Sequence, residues 1–367
     1  MESAVRWRSL GSRLASKAGV AALTVAVCLA CAIPLPAQPR TTLVGSGSSL
    51  AVPLMSAWGK EFAESYPNVQ VAYVATSSGE GIRQISAMEG DFAVGEVPLT
   101  DKQKSATKSP LAQIPIAVVT IVPVYNLPVQ NELRFTGDLL AQIYMGHISK
   151  WNDERIARIN PGISLPDLKI TLVQRPDGTG SRFIFTQFLI KTCPEFRRWE
   201  TAGRKGAPPE VMEERSRGVA GRVASTPGAI GFVDWSVAEK SGLSSGRIRN
   251  FSGKFVKASL SAVVAASEAM EETVFMSSPE PPLDAPGENS YPLTSFVWVY
   301  LPVNVMASDH PQMLYDFLSW CLDPGQSLIA GSGYHRLPVN VAARARAKLK
   351  ALGHSIPNPA SQQAARN

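Results

Sequence analysis

The sequence predicts an α/β protein of two lobes, each a mainly parallel sheet flanked by helices. Two observations carry the prediction. Strand-like and helix-like segments alternate from Thr42 onward, and the alternation resumes in a second stretch after Leu139. Such alternation is what crossovers between parallel strands produce. In addition, the chain has 367 residues, 45% hydrophobic and 18% charged, which suits two domains with a sizeable core.

The elements follow in order. TTLV, ending at Val44, is a short β-rich segment. Pro53 to Tyr66 (PLMSAWGKEFAESY) has helical spacing of its apolar residues. Val69 to Ala75 (VQVAYVA) reads as a strand, Gly81 to Gly90 as a helix, and Asp91 to Val97 (DFAVGEV) as a strand. Ile114 to Asn126 (IPIAVVTIVPVYN) is a long apolar β segment. The second stretch has a helix at Leu139–Gly146, a strand at Lys169–Val173 (KITLV) and a buried helix at Phe183–Ile190 (FIFTQFLI). A strand at Gly228–Val233 and a helix at Ser236–Gly242 complete it. Ser277 to Asn289 is Pro-rich and loop-like; after it Tyr291 to Pro302 reads as β and Pro311 to Leu322 as helix. The basic segment from Val341 is open between a terminal helix and an unstructured arm.

Charge excludes one class of partner. The net charge is +6, but the first 37 residues hold four Lys/Arg against one acid. Val341 to Asn367 holds five Lys/Arg and no acid, so the body between has 27 basic and 29 acidic residues, about −2. A nucleic-acid binder carries its positive charge on the folded body. Residues 1–37 look like a secretory signal and spacer: a basic region up to Lys17, then an apolar run from Ala18 to Ala32 too short to span a bilayer. Cleavage after Ala32 or Ala37 and lipidation of Cys31 are the alternatives, and each exports the protein. Cys193 and Cys321 then remain, read as two buried thiols rather than a disulfide framework. The four histidines are scattered, so neither a metal site nor any cofactor is expected.

Three turns carry the chemistry. They are Gly45–Pro53 (GSGSSLAVP), Ser77–Gly81 (SSGEG) and Arg175–Phe183 (RPDGTGSRF), and each connects a strand to a helix. Turns of this kind point backbone N–H groups and hydroxyls at the helix N-terminus, where the dipole favours an anion. None fits a P-loop, GxGxxG or GxSxG pattern.

The order GSGSSLAVPLMSAW, SSGEGIRQI, GDFAVGEVPLT, IYMGHISKWND, QRPDGTGSRFIFTQFL, PGAIGFVDW, YPLTS closely resembles the periplasmic phosphate-binding proteins of bacterial phosphate ABC transporters. The resemblance covers Thr42 to about Pro338. It implies a type II periplasmic-binding-protein fold, with the ligand in the cleft between the lobes. It also implies a phosphate site of Ser49, the Leu50 N–H, Ser78, Glu96, Arg175, Thr179, the N–H groups around Gly180, and Ser181, with Asp177 holding Arg175 in place. The chain departs from the family at Glu96, where aspartate is usual, at Leu50, where an aromatic is common, and in the order of Thr179 and Ser181. Physical chemistry supports such a set. A desolvated oxyanion needs a donor for nearly every lone pair, and a guanidinium offers two in fixed geometry. A carboxylate only accepts, so it selects an anion that still carries a proton and rejects sulfate.

The expected function is therefore that of an exported, non-enzymatic, monomeric protein that captures inorganic phosphate and delivers it to a membrane permease. Expected bounds are residues 42–125 plus 291–340 for one lobe and 126–290 for the other, moving about strands near Tyr125 and Tyr291. The rivals are the same fold binding arsenate or a phosphonate, a secreted phosphatase or serine hydrolase, and a sensory or adhesion module.

Overall fold

The structure, a computed structural model, describes residues 41–105, 110–275, 281–304, 308–329 and 332–353. The signal segment, Cys31 and the chain beyond Gly353 lie outside the described residues. The strands in chain order are β1 (Thr41–Ser48), β2 (Val69–Thr76), β3 (Phe92–Gly95), β4 (Leu111–Tyr125), β5 (Arg134–Phe135), β6 (Thr171–Gln174), β7 (Glu210–Met212), β8 (Ala229–Asp234), β9 (Ser244–Ser245), β10 (Arg247–Arg249), β11 (Phe255–Val256) and β12 (Thr294–Pro302). Nine of them make one sheet, in the order β2-β1-β3-β12-β4-β8-β6-β7 with β9 beside β4; β11-β10-β5 form a small second sheet.

The outer strands are parallel, as the alternation predicts: β1 with β2 and β3, and β6 with β7 and β8. The centre differs. β12 runs antiparallel to both β3 and β4, and β4 antiparallel to β8. These central strands are the long apolar segments, and every residue of β4 and β12 is buried. Apolar residues on both faces suit a strand covered from both sides, whatever its direction. Pro115 and Pro123 lie inside β4, although proline cannot donate to a ladder. The sheet absorbs Pro115 with a register shift between Val297 and Trp298 of β12, directly opposite it.

Helices cover the sheet with their apolar faces. Val52–Ser65 starts with Pro53 at its first turn and buries Leu54, Met55, Trp58 and Phe62; its Trp58 indole donates to the Gly325 carbonyl at 2.7 Å. Fully burying each such side chain contributes about 1.5–3 kcal/mol. Val339–Gly353 is a helix that buries Val341, Ala342, Ala345 and Leu349, which settles the open alternative for that segment as far as Gly353. Cys193 and Cys321 are buried free thiols.

Candidate functional site

Parallel pairing brings the predicted turns together. In β1, β2 and β3 all carboxyl ends point the same way, with Ser48 level with Thr76 and Gly47 level with Val94. The residues that follow these strands therefore meet at one edge: Ser49, Ser78 and Glu96. β6, on the other side of the sheet, ends at Gln174 and delivers Arg175. Ligands of open α/β sheets sit at such carboxyl ends.

Glu96 is the centre of the site. It is fully buried, and its Oε2 accepts from the Ser78 hydroxyl at 2.9 Å, while its own N–H donates to the same hydroxyl at 3.3 Å. Burial raises its pKa above the ordinary glutamate value, against the opposing effect of the Ser48 and Ser78 hydroxyls and the Arg175 charge. The carboxylate also lies against Gly180: a Cβ at that position would meet Glu96 Oε2 at 1.7 Å. Only glycine leaves that space. Gly178, in the turn before it, has φ +82, a left-handed conformation that glycine adopts without strain.

Arg175 is 1% exposed, and burial lowers its pKa. Its Nη2 donates to the Ser49 hydroxyl at 3.1 Å and its Nη1 to the Ser216 hydroxyl at 3.4 Å. Ser49 is thus joined to a residue far along the chain. Thr179 takes the N-cap position of the helix Gly180–Thr192, yet its hydroxyl donates to the Pro176 carbonyl at 2.8 Å instead of capping. Leu50 donates its N–H to the Ser48 hydroxyl at 3.2 Å. Among the described residues, four buried polar atoms here have no hydrogen-bond partner: Glu96 Oε1, Arg175 Nε, Ser181 Oγ and Arg182 Nε, the last held only by its ion pair with Asp177. Buried polar groups are nearly always paired, so unpaired ones gathered beside an uncapped helix N-terminus make this a candidate site for a polar ligand.

One expected role is corrected. Asp177 does not hold Arg175: it pairs with Arg182 at 2.8 Å and Arg204 at 3.0 Å, and its side chain is 69% exposed. The turn carries it to the outer side, away from the buried guanidinium. Sequence reasoning also missed three residues. Ser48 is buried next to Glu96, Ser216 reaches Arg175 from another helix, and Arg182 is buried in the first turn of Gly180–Thr192. The pairing of Arg182 with two acids, one of them in β7, is a long-range contact that no local pattern encodes.

Beside Ser49 and Arg175 lies a cavity of about 730 Å3, lined on one side by Leu50, Pro53 and Tyr334 and on the other by Ser216 and Asp234. Its walls are largely apolar, with Arg175, Arg215 and Arg217 among the charged side chains that reach it.

Comparisons with known proteins show the family of the chain. A family profile described as the PBP superfamily domain matches residues 34–324. A phosphate-binding protein PstS of Xylella fastidiosa is 33% identical over 306 residues, covering 83% of each chain. One of Methanocaldococcus jannaschii is 30% identical, covering 83% of this chain and 85% of its own. The crystal structure of an ABC-type phosphate transport receptor from Vibrio cholerae matches with a TM-score of 0.54 at 19% identity, over 81% of this chain and 100% of that one, a likeness that shows the fold. Matched along most of its length by that profile and by such relatives, the chain belongs to the PBP superfamily, in the family of PstS phosphate-binding proteins.

Proposed function

We propose that the chain is an exported solute-binding protein that captures hydrogen phosphate and hands it to the permease of an ABC transporter, as a monomer and without chemistry. The observation that carries this is the buried Glu96 carboxyl at the uncapped N-terminus of Gly180–Thr192, facing the same site as Arg175, with unpaired polar atoms on Glu96, Arg175 and Ser181. Phosphate supplies what these atoms lack. Its ionised oxygens accept from Arg175, from Ser49, Ser181 and, after a rotation, Thr179, and from the N–H groups around Leu50 and Gly180. Its P–OH donates to Glu96, which Ser78 steadies. Sulfate has no proton for Glu96 and meets only charge repulsion there.

The two lobes take the bounds 42–125 plus 291–340 and 126–290. Leu111–Thr120 of β4 pairs with β12 and Ile121–Tyr125 with β8, so β4 runs from one lobe into the other, which supports a crossing within this strand, a few residues before the bound at 125. Closure about this strand and the chain before β12, near Tyr291, would enclose the anion between Ser49 and Arg175.

Calorimetry of the exported form, stripped of phosphate, tests the proposal. Phosphate binds with a single site and sulfate gives no heat; absence of binding at millimolar phosphate ends the transport interpretation. A turnover assay with a chromogenic phosphomonoester gives no product if the role is capture alone.

A further inference from the structure

Arg175 has an unusual anchorage for a buried cation. Among the described residues no carboxylate forms an ion pair with it; its partners are the hydroxyls of Ser49 and Ser216. Hydroxyls rotate, so they hold a guanidinium loosely. The direction in which the Arg175 side chain leaves the backbone then depends on how firmly its own peptide is held.

Arg182 holds it. This second arginine is 5% exposed and lies in the first turn of Gly180–Thr192. Its Nη1 donates to the Arg175 carbonyl at 2.9 Å. Its Nε lies 2.8 Å from Asp177 as an ion pair outside hydrogen-bond alignment, and its Nη1 and Nη2 both donate to Glu210 of β7 at 3.4 Å. Both acids are themselves fixed. Gln174 donates to Glu210, and Arg204 pairs with Asp177 while bound to Glu200 at 2.7 Å. One rigid guanidinium therefore ties together the end of β6, the turn after it and the neighbouring strand.

We propose that Arg182 is the positioning residue of the anion site: by clamping the Arg175 peptide to Asp177 and Glu210 it aims the Arg175 guanidinium at the ligand. Asp177 acts on Arg175 through Arg182. The inference rests on the phosphate proposal above. A guanidinium offers its donors in fixed geometry, so a loosened peptide that misaims it is felt in affinity.

A double-mutant cycle read by phosphate calorimetry tests it, at a temperature where circular dichroism shows every variant folded. Arg182→Met weakens phosphate binding roughly 10- to 100-fold, the size seen when a group that orients a ligand is lost. Arg182→Lys, which keeps a donor for the Arg175 carbonyl, recovers most of that loss. In an Arg175→Ala background Arg182→Met adds no further loss, because there is no longer a guanidinium to aim. An arginine that served stability alone would lower the melting temperature and leave this pattern absent. Binding by Arg182→Met within about threefold of the parent, or an equal loss in both backgrounds, overturns the proposal. If Arg182→Met does not fold, Asp177→Asn takes its place in the cycle with the same expected and overturning outcomes. A parent that fails to bind phosphate removes the phosphate proposal and this one with it, an outcome distinct from a parent that binds beside unaffected variants.

Discussion

Arg175 and Glu96, a base and an acid, share one buried site, and each leads to a measurable consequence. Arg175→Ala leaves an oxyanion without its charge-assisted donors, and the expected loss of phosphate affinity is about 2–5 kcal/mol by calorimetry. An effect below about 1 kcal/mol would place the guanidinium outside the ligand contacts. At Glu96 the expected effect is on selectivity. Glu96→Gln weakens phosphate and admits sulfate, because the amide donates where the carboxylate could only accept. Glu96→Asp keeps the rejection of sulfate, since reach changes and chemistry does not. Equal exclusion of sulfate by Glu96→Gln and the parent argues against proton acceptance at this residue. Glu96 also sets a pH dependence. Burial holds its pKa above the ordinary value, so between the two values the folded, ligand-free chain keeps a proton that the unfolded chain has released. Stability of the ligand-free protein then falls as pH rises through that window. Melting temperatures of parent and Glu96→Gln measured against pH reveal it: the parent loses ground as pH rises, whereas parallel curves would show that Glu96 does not titrate differently on folding.

The helix Gly180–Thr192 is the element on which the site is built. Its N-cap hydroxyl is engaged elsewhere, its first residue is glycine and its second is a buried serine without a partner. The end of the helix is thus kept open for an outside acceptor, and Gly180 lets the Glu96 carboxylate come up to it. Gly180→Ala puts a methyl group into that carboxylate. Alanine is intrinsically the better helix former, by about 1 kcal/mol, so a purely local account predicts stabilisation. The steric account predicts loss of phosphate binding, partly restored in the double variant Gly180→Ala with Glu96→Asp. A coupling of roughly 0.5–3 kcal/mol in that cycle is the expected result. Additive effects would mean that Gly180 and Glu96 do not meet in the bound state.

At the scale of the whole molecule, the proposed ligand contacts come from both ends of one continuous sheet. Ser49, Ser78 and Glu96 follow strands at the β2-β1-β3 side, while Arg175, Thr179 and Ser181 follow β6. A ligand held by both sides binds only the folded arrangement, so phosphate raises the melting temperature in proportion to the logarithm of its concentration. The stabilisation is about 4 kcal/mol at a thousandfold excess over the dissociation constant. Sulfate at the same concentration leaves the transition where it was. A shift of equal size with both salts would reflect a general salt effect, not site binding.

The elements were readable because their patterns are local. Thr41–Val44 and Val69–Ala75 are β-rich, Val52–Ser65 buries residues at helical spacing, and the glycine-hydroxyl turns lie between such segments. Family order then tied those turns to Ser49, Ser78, Glu96 and Arg175. Two things were not local. The antiparallel centre depends on which apolar strands pair, and a strand buried on both faces has the same composition in either direction. The surroundings of Arg175 depend on side chains from elsewhere: Ser216 comes from another helix, and Glu210 comes from β7 to engage Arg182. The family resemblance implied that Asp177 holds Arg175. The fold turns Asp177 outward and Arg182 inward, because a helix start at Gly180 places its third residue under the end of β6. A sequence records which residues can hydrogen-bond or pair; packing chooses the partners, since buried charges must meet opposite charge or an acceptor wherever the chain brings one within reach.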